Sequence, residues 1–93
     1  MTFQVVNQSN RTGFKMSFVN GWTVSVQFAR DARPHDDDRY TSTALMAEVA
    51  AIHQSGRWHD FGYDTVKSDI LADDVAQFIA RVQTFVPPKG ARE

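Results

Sequence analysis

From Phe14 to Phe28 apolar residues alternate with polar ones on two successive arms, at Phe14, Met16 and Phe18 and then at Trp22, Val24, Val26 and Phe28. A period of two predicts two strands joined near Asn20-Gly21. Asn-Gly invites a two-residue type I′ turn, but parity argues against it. Such a loop would pair Val19 with Trp22 and send Phe14, Met16 and Phe18 to the face opposite Trp22, Val24 and Val26. A three-residue loop, Val19-Asn20-Gly21, pairs Phe18 with Trp22 and Met16 with Val24, and gathers the large apolar groups on one face. The expectation is a type I turn with a G1 bulge, with Gly21 in the left-handed region and intolerant of a β-branched residue.

Phe3 to Val6 predicts a short strand, and Asn7 to Gly13 reads as turn-forming. Residues 30–43 are polar and without periodicity, a long surface loop of the kind that is usually functional or disordered. Thr43 to Phe61 supports two readings. Ala44 to Gln54 has helical propensity, with Ser42 or Thr43 as cap and Gly56 as terminator. The alternative is a second hairpin, Ala47 to His53 and Arg57 to Phe61 around Gln54-Ser55-Gly56, with Ile52 facing Trp58 and Val49 facing Phe61. The hairpin is preferred, because a lone two-stranded ribbon is marginal and Trp58 needs a sheet partner. Asp64 to Leu71 reads as a connector. Ala72 to Phe85 carries Val75, Phe78, Ile79, Val82 and Phe85 at helical spacing, with Asp69, Asp73 and Asp74 near its positive end and Pro87-Pro88 as a stop. The fold class expected is α+β: an antiparallel β-sheet of four to five strands, built from two hairpins and packed against one C-terminal α-helix.

Ninety-three residues suit a single domain over 1–93, with the tail from 88 to 93 expected to fray. Eleven aromatic side chains supply the buried area that a two-layer fold needs. The chain contains no cysteine, which excludes disulfide stapling and thiol chemistry. No apolar run reaches membrane-spanning length and the N-terminus lacks a signal-peptide layout, so a cytoplasmic protein without membrane association is the expectation. The net charge of −1 favours no partner class, but the charges are segregated. Arg11, Lys15, Arg30 and Arg33 against Asp31 make residues 1–35 basic. Residues 36–74 carry nine acids against Arg39, Arg57 and Lys67, and residues 75–93 return to a basic balance.

The string Phe14-x-Met-x-Phe-x-Asn-Gly-Trp-Thr-Val-Ser-Val-Gln-Phe28 resembles the opening of a group of small bacteriophage accessory proteins. Ala47-Glu48-Val49-Ala50-Ala51, Gly56-x-Trp58, Phe61-Gly62, Asp64-Thr65-Val66 and Asp74-Val75-Ala76-x-Phe78-Ile79 are similar to segments of the same group. The likeness spans roughly residues 14–82 and departs at 29–39 and at Leu71, where a capping Ser or Thr would be expected. Its motifs are folding signals, not active-site residues. What the resemblance implies is a phage protein that binds and blocks host defence machinery, an anti-CRISPR role being its most concrete form.

Read residue by residue, the chemistry is sparse. His35-Asp36-Asp37-Asp38 offers oxygen ligands and an imidazole for a hard divalent cation, but consecutive acids without a turn glycine make a poor cage, and a solvated or partner-facing acidic patch is the preferred reading. His53 and His59, diagonal neighbours in the second hairpin with Asp60 and Asp64 nearby, could act as the acid and base of a small metal-dependent nuclease; the plainer reading is two surface histidines. Phosphate-binding loops, dinucleotide fingerprints, nucleophile elbows and zinc-protease helices are absent, so neither catalysis nor a cofactor is expected. Arg11, Lys15, Arg30, Arg33 and Arg39, with Tyr40 and Trp22 to stack on bases, are the residues for nucleotide or nucleic-acid sequestration, although the net charge is far from a basic footprint. The sequence therefore favours a non-catalytic inhibitor that occludes a host protein or nucleoprotein complex. Its expected contacts are Arg33, His35, Asp36, Asp37, Asp38, Arg39 and Tyr40 in the long loop and Asp69, Asp73 and Asp74 at the helix start. Pairing of an exposed sheet edge with a second copy is left open.

Overall fold

A computed structural model of the chain describes residues 1–7, 11–29 and 46–88. Among these residues five strands, β1 (Thr2–Asn7), β2 (Arg11–Ser17), β3 (Trp22–Ala29), β4 (Ala47–His53) and β5 (Lys67–Ile70), precede one helix, α1 (Ala72–Val82). The strands form one antiparallel sheet in the order β1-β2-β3-β4-β5. The α+β class, the antiparallel sheet and the C-terminal helix are as the periodicity predicts.

The β2–β3 connection has the geometry that parity demands. Met16 pairs with Val24, the Phe18 N–H donates to Trp22 O at 2.9 Å, and the Gly21 N–H donates back to Phe18 O at 3.1 Å. Gly21 has φ +87 and a Cβ there would lie 3.0 Å from His53 Nε2, so backbone conformation and close packing both select glycine. Phe14, Met16, Trp22, Val24, Val26 and Phe28 consequently share one face with Ala47, Val49 and Ala51 of β4, and α1 covers it with Val75, Phe78 and Val82.

Four expectations need correction. Arg11, Thr12 and Gly13 lie in β2, not in a turn. Gly13 is there because the strands approach closely: a Cβ would sit 2.1 Å from Val26 O. The second hairpin exists only as a stub, with the Ile52–Trp58 bridge and the His59 N–H donating to Ala51 O at 2.8 Å. Val49 pairs with Lys67 rather than facing Phe61. The supposed connector from Asp64 contains β5, whose extra residue between Lys67 and Ile70 forms a bulge with Asp69 at φ +61. The bulge restores parity, so that Ile70 enters the core.

The helix stops at Val82 and not Phe85, because the β2–β3 turn takes over its end. Asn20 Nδ2 donates to Val82 O at 2.8 Å and to Phe85 O at 3.0 Å, while Asn20 Oδ1 accepts from the Trp22 N–H. Trp22 Nε1 donates to Val86 O at 2.9 Å. The Thr84 and Phe85 N–H groups tighten the last turn onto Arg81 O and Val82 O. Carbonyls that a helix end leaves bare are thereby satisfied within the protein. At the other end Leu71 provides no side-chain cap. Asp73 and Asp74 stand in the first turn, favourable to the helix dipole. Among the described residues no helix is long and apolar enough to cross a membrane.

Replacing Asn20 tests this corner. Asn20→Ala should lower unfolding free energy in urea by about 1–3 kcal/mol, the cost of stranding part-buried carbonyls. Asn20→Asp should destabilise at least as much despite its equal size, since a carboxylate would face the negative end of the helix.

Candidate functional site

Strand alternation that sends apolar groups toward α1 leaves the opposite sheet face to Arg11, Lys15 and Ser17 of β2, Thr23, Ser25 and Gln27 of β3, and Glu48, Ala50 and Ile52 of β4. Arg11 forms an ion pair with Glu48 that reaches across β3, and Glu48 accepts a second hydrogen bond from Ser68 Oγ at 3.3 Å. Gln27 Nε2 donates to Ser25 Oγ at 3.0 Å, and Ser17 Oγ and Thr23 Oγ1 are joined at 2.8 Å. Among the described residues Lys15 makes no ion pair. With Arg11 and Glu48 both partly exposed, their pair is worth only about 0–1 kcal/mol to the fold and remains open to exchange with a partner's charges.

The chain beyond the turn at 54–56 adds an apolar wall to this polar face. The bridge to Ile52 sets Trp58 on the side opposite α1, free of helix among the described residues, and Trp58 and Val66 join Ile52 in lining a concavity of about 330 Å³ with Arg11, Lys15, Gln27 and Glu48. Trp58 remains 47% exposed, an unusual fraction for the largest side chain. The result is an open amphipathic groove: an indole and two aliphatic groups at one end, two cations, a carboxylate and an amide at the other. Sequence reasoning treated Trp58 as a folding residue only. Its parity held the clue, since a residue that pairs with Ile52 must point away from Val49 and Ala51.

The two histidines do not form an acid–base pair. His53 is 1% exposed, packed edge-on to Trp22 at a centroid distance of 5.2 Å, and so is not a surface residue. Its Nδ1 accepts from the Ser55 N–H at 3.1 Å, which places the neutral ring's proton on Nε2, a buried atom without a partner among the described residues. His59 lies on the helix side, half-buried against Phe61 at 4.8 Å and Phe85 at 4.7 Å. Burial among these rings holds its pKa below the ordinary 6.5, the Arg81 guanidinium adds to the effect, and Asp60 opposes it. Neither imidazole accepts or donates a hydrogen bond with a carboxylate among the described residues.

Of the expected partner contacts, Arg33, His35, Asp36, Asp37, Asp38, Arg39 and Tyr40 lie outside the described residues, as do Arg30 and the tail from 89 to 93. Asp69, Asp73 and Asp74 are exposed but do not share one cleft. Asp69 borders a hollow with Arg11, Gln27, Glu48 and Ser68, whereas Asp74 borders another with Lys67, Gln77 and Arg81. Trp22 cannot stack on a base, because it is 5% exposed and its N–H is spent on Val86 O. Among the described residues no three His, Asp or Glu side chains converge as a metal site.

No protein-family model matches the chain, and neither a curated protein nor a solved structure matches it.

The unfolded chain binds a proton at His59 near pH 6.5, whereas the folded chain does so only at lower pH. The stability tied to its neutral form is therefore complete above pH 6.5 and is lost as pH falls below it. Melting temperature should decline from neutral pH to about pH 5, still above the carboxylate range, and His59→Phe should flatten that decline. Equal slopes in the two proteins would contradict this assignment.

Proposed function

We propose that the protein is a non-catalytic binding module that docks a partner protein on the helix-free face of its sheet. In the setting that the sequence resemblance implies, it is a phage accessory protein acting in the host cytoplasm by occluding a defence component, as an anti-CRISPR protein does. The observation that carries the reading is Trp58, half exposed over a groove whose other end holds the Arg11–Glu48 pair and Lys15. An exposed tryptophan beside aliphatic groups is the usual anchor of a binding hot spot, and the arginine and lysine give it a charged rim. A matching partner presents an extended segment with an apolar side chain for the Trp58, Ile52 and Val66 wall and an acidic group for Lys15. The polar 30–43 segment and the acidic start of α1 are the further contacts that the sequence suggests.

Nucleic-acid sequestration is the weaker reading, since Trp22, the ring expected to stack on a base, is buried and the carboxylate of Glu48 stands among the groove's cations.

The test is plaquing of a targeted phage on hosts with active CRISPR interference, with the protein expressed beforehand. The wild-type chain should restore plaquing. Trp58→Ala should bind the purified defence complex at least ~10-fold more weakly, the cost of a hot-spot truncation, while remaining folded at the assay temperature. No protection, or protection indifferent to Trp58 and Lys15, would reject the reading. Thermal stabilisation by oligonucleotides alone would favour sequestration instead.

A further inference from the structure

The two edges of the sheet are built differently. The β5 edge has four residues, carries Lys67 and Asp69, and is broken by the bulge at Asp69. Charge, shortness and a bulge are the devices that stop a strand from adding to an edge. The β1 edge has none of them. Its six residues, Thr-Phe-Gln-Val-Val-Asn, include no charge, no proline and no glycine. On its helix side Phe3 is 78% and Val5 82% exposed, since α1 packs mainly over β3 and β4. An uncharged apolar strand at the end of the sheet, beside which no further strand lies among the described residues, is a template for another.

We propose that β1 pairs with β1 of a second copy, joining two sheets into one of ten strands. The sequence of the strand is self-complementary for this. In an antiparallel pair centred on Gln4, Phe3 of each copy faces Val5 of the other, and Thr2 faces Val6. The two-fold axis then stands perpendicular to the sheet, so residues of one parity stay on one side. Phe3 and Val5 from both copies form a four-residue apolar ladder on the helix side, while the two Gln4 amides meet on the other. Moving the centre by one residue, to Phe3 or to Val5, loses the Phe3–Val5 pairs and sets Val5 opposite Met1 or Phe3 opposite Asn7. No like charges oppose each other along the pair, because β1 has none. Both helices lie on the same side of the joined sheet, and both helix-free grooves open on the other. This pairing does not depend on the proposed inhibitory role.

Mass by sedimentation equilibrium tests the pairing. The wild-type chain should be a dimer at high micromolar concentration. Val5→Lys and Phe3→Glu should each be monomeric and, at concentrations too dilute for the wild-type dimer, should melt as the wild-type chain does, because both positions are exposed. A mixture of these two variants should form a heterodimer, since the proposed register sets the new cation opposite the new anion. A monomeric wild-type chain would overturn the proposal and leave the edge to a foreign strand. Dimers that survive either substitution, or variants that fail to associate when mixed, would overturn it equally.

Discussion

The helix depends on one corner of the hairpin. Asn20 and Trp22 donate three hydrogen bonds to carbonyls at and just beyond the end of α1, and Gly21 between them allows the backbone to turn and His53 to approach. An eleven-residue helix is marginal by itself, so its persistence depends on tertiary contacts. The corner fixes one end of it, and burial of Val75, Phe78 and Val82 against β3 and β4 fixes its face. Trp22 serves both purposes: its ring packs on His53 and Phe85, and its N–H holds the chain at Val86.

From that constraint follows the asymmetry of the sheet. A single short helix covers the central strands on one side only. Strands at the margin keep apolar groups exposed, as at Phe3 and Val5, and among the described residues no helix packs on the opposite face, where Val6, Ser25 and Ala50 are nonetheless buried. A two-layer protein of this size must therefore present sheet surface to solvent, and its composition decides what that surface can meet. Here it is polar in the middle, with an indole at one end.

Where each side chain's period was regular, the fold was legible in the sequence. The parity of Phe14 to Phe28 settles the hairpin loop, Ala47 to His53 appears as a strand with its bounds unchanged, and the stripe from Val75 to Phe85 marks the helix. What escaped are features that depend on contacts distant in sequence. Gly13 looked like a turn residue because its reason, the approach of Val26 O, lies on another strand. Lys67 to Ile70 shows no alternation because Asp69 bulges, so β5 read as a connector. Asn20 looked like a turn former, and its role at the helix end spans more than sixty residues of sequence. The groove was half legible: the pairing of Ile52 with Trp58 was anticipated, but the charged end of the groove depends on Arg11 meeting Glu48 across an intervening strand. The 30–43 segment lies wholly outside the described residues, so the two sets of candidate contacts stand on different grounds.

The proposed binding role rests on a groove whose floor is the same sheet that the helix braces from behind. If the corner at Asn20 makes helix and sheet one cooperative body, the floor is rigid and Trp58 is presented in one place. Native-state amide hydrogen exchange measures this directly. The account predicts that amides in the last turn of α1 open with the same free energy as those of Val24, Val26 and Val49, in a single global event. Helix amides that exchange orders of magnitude faster than the strands, with the sheet still protected, would show that the helix opens separately and would contradict it.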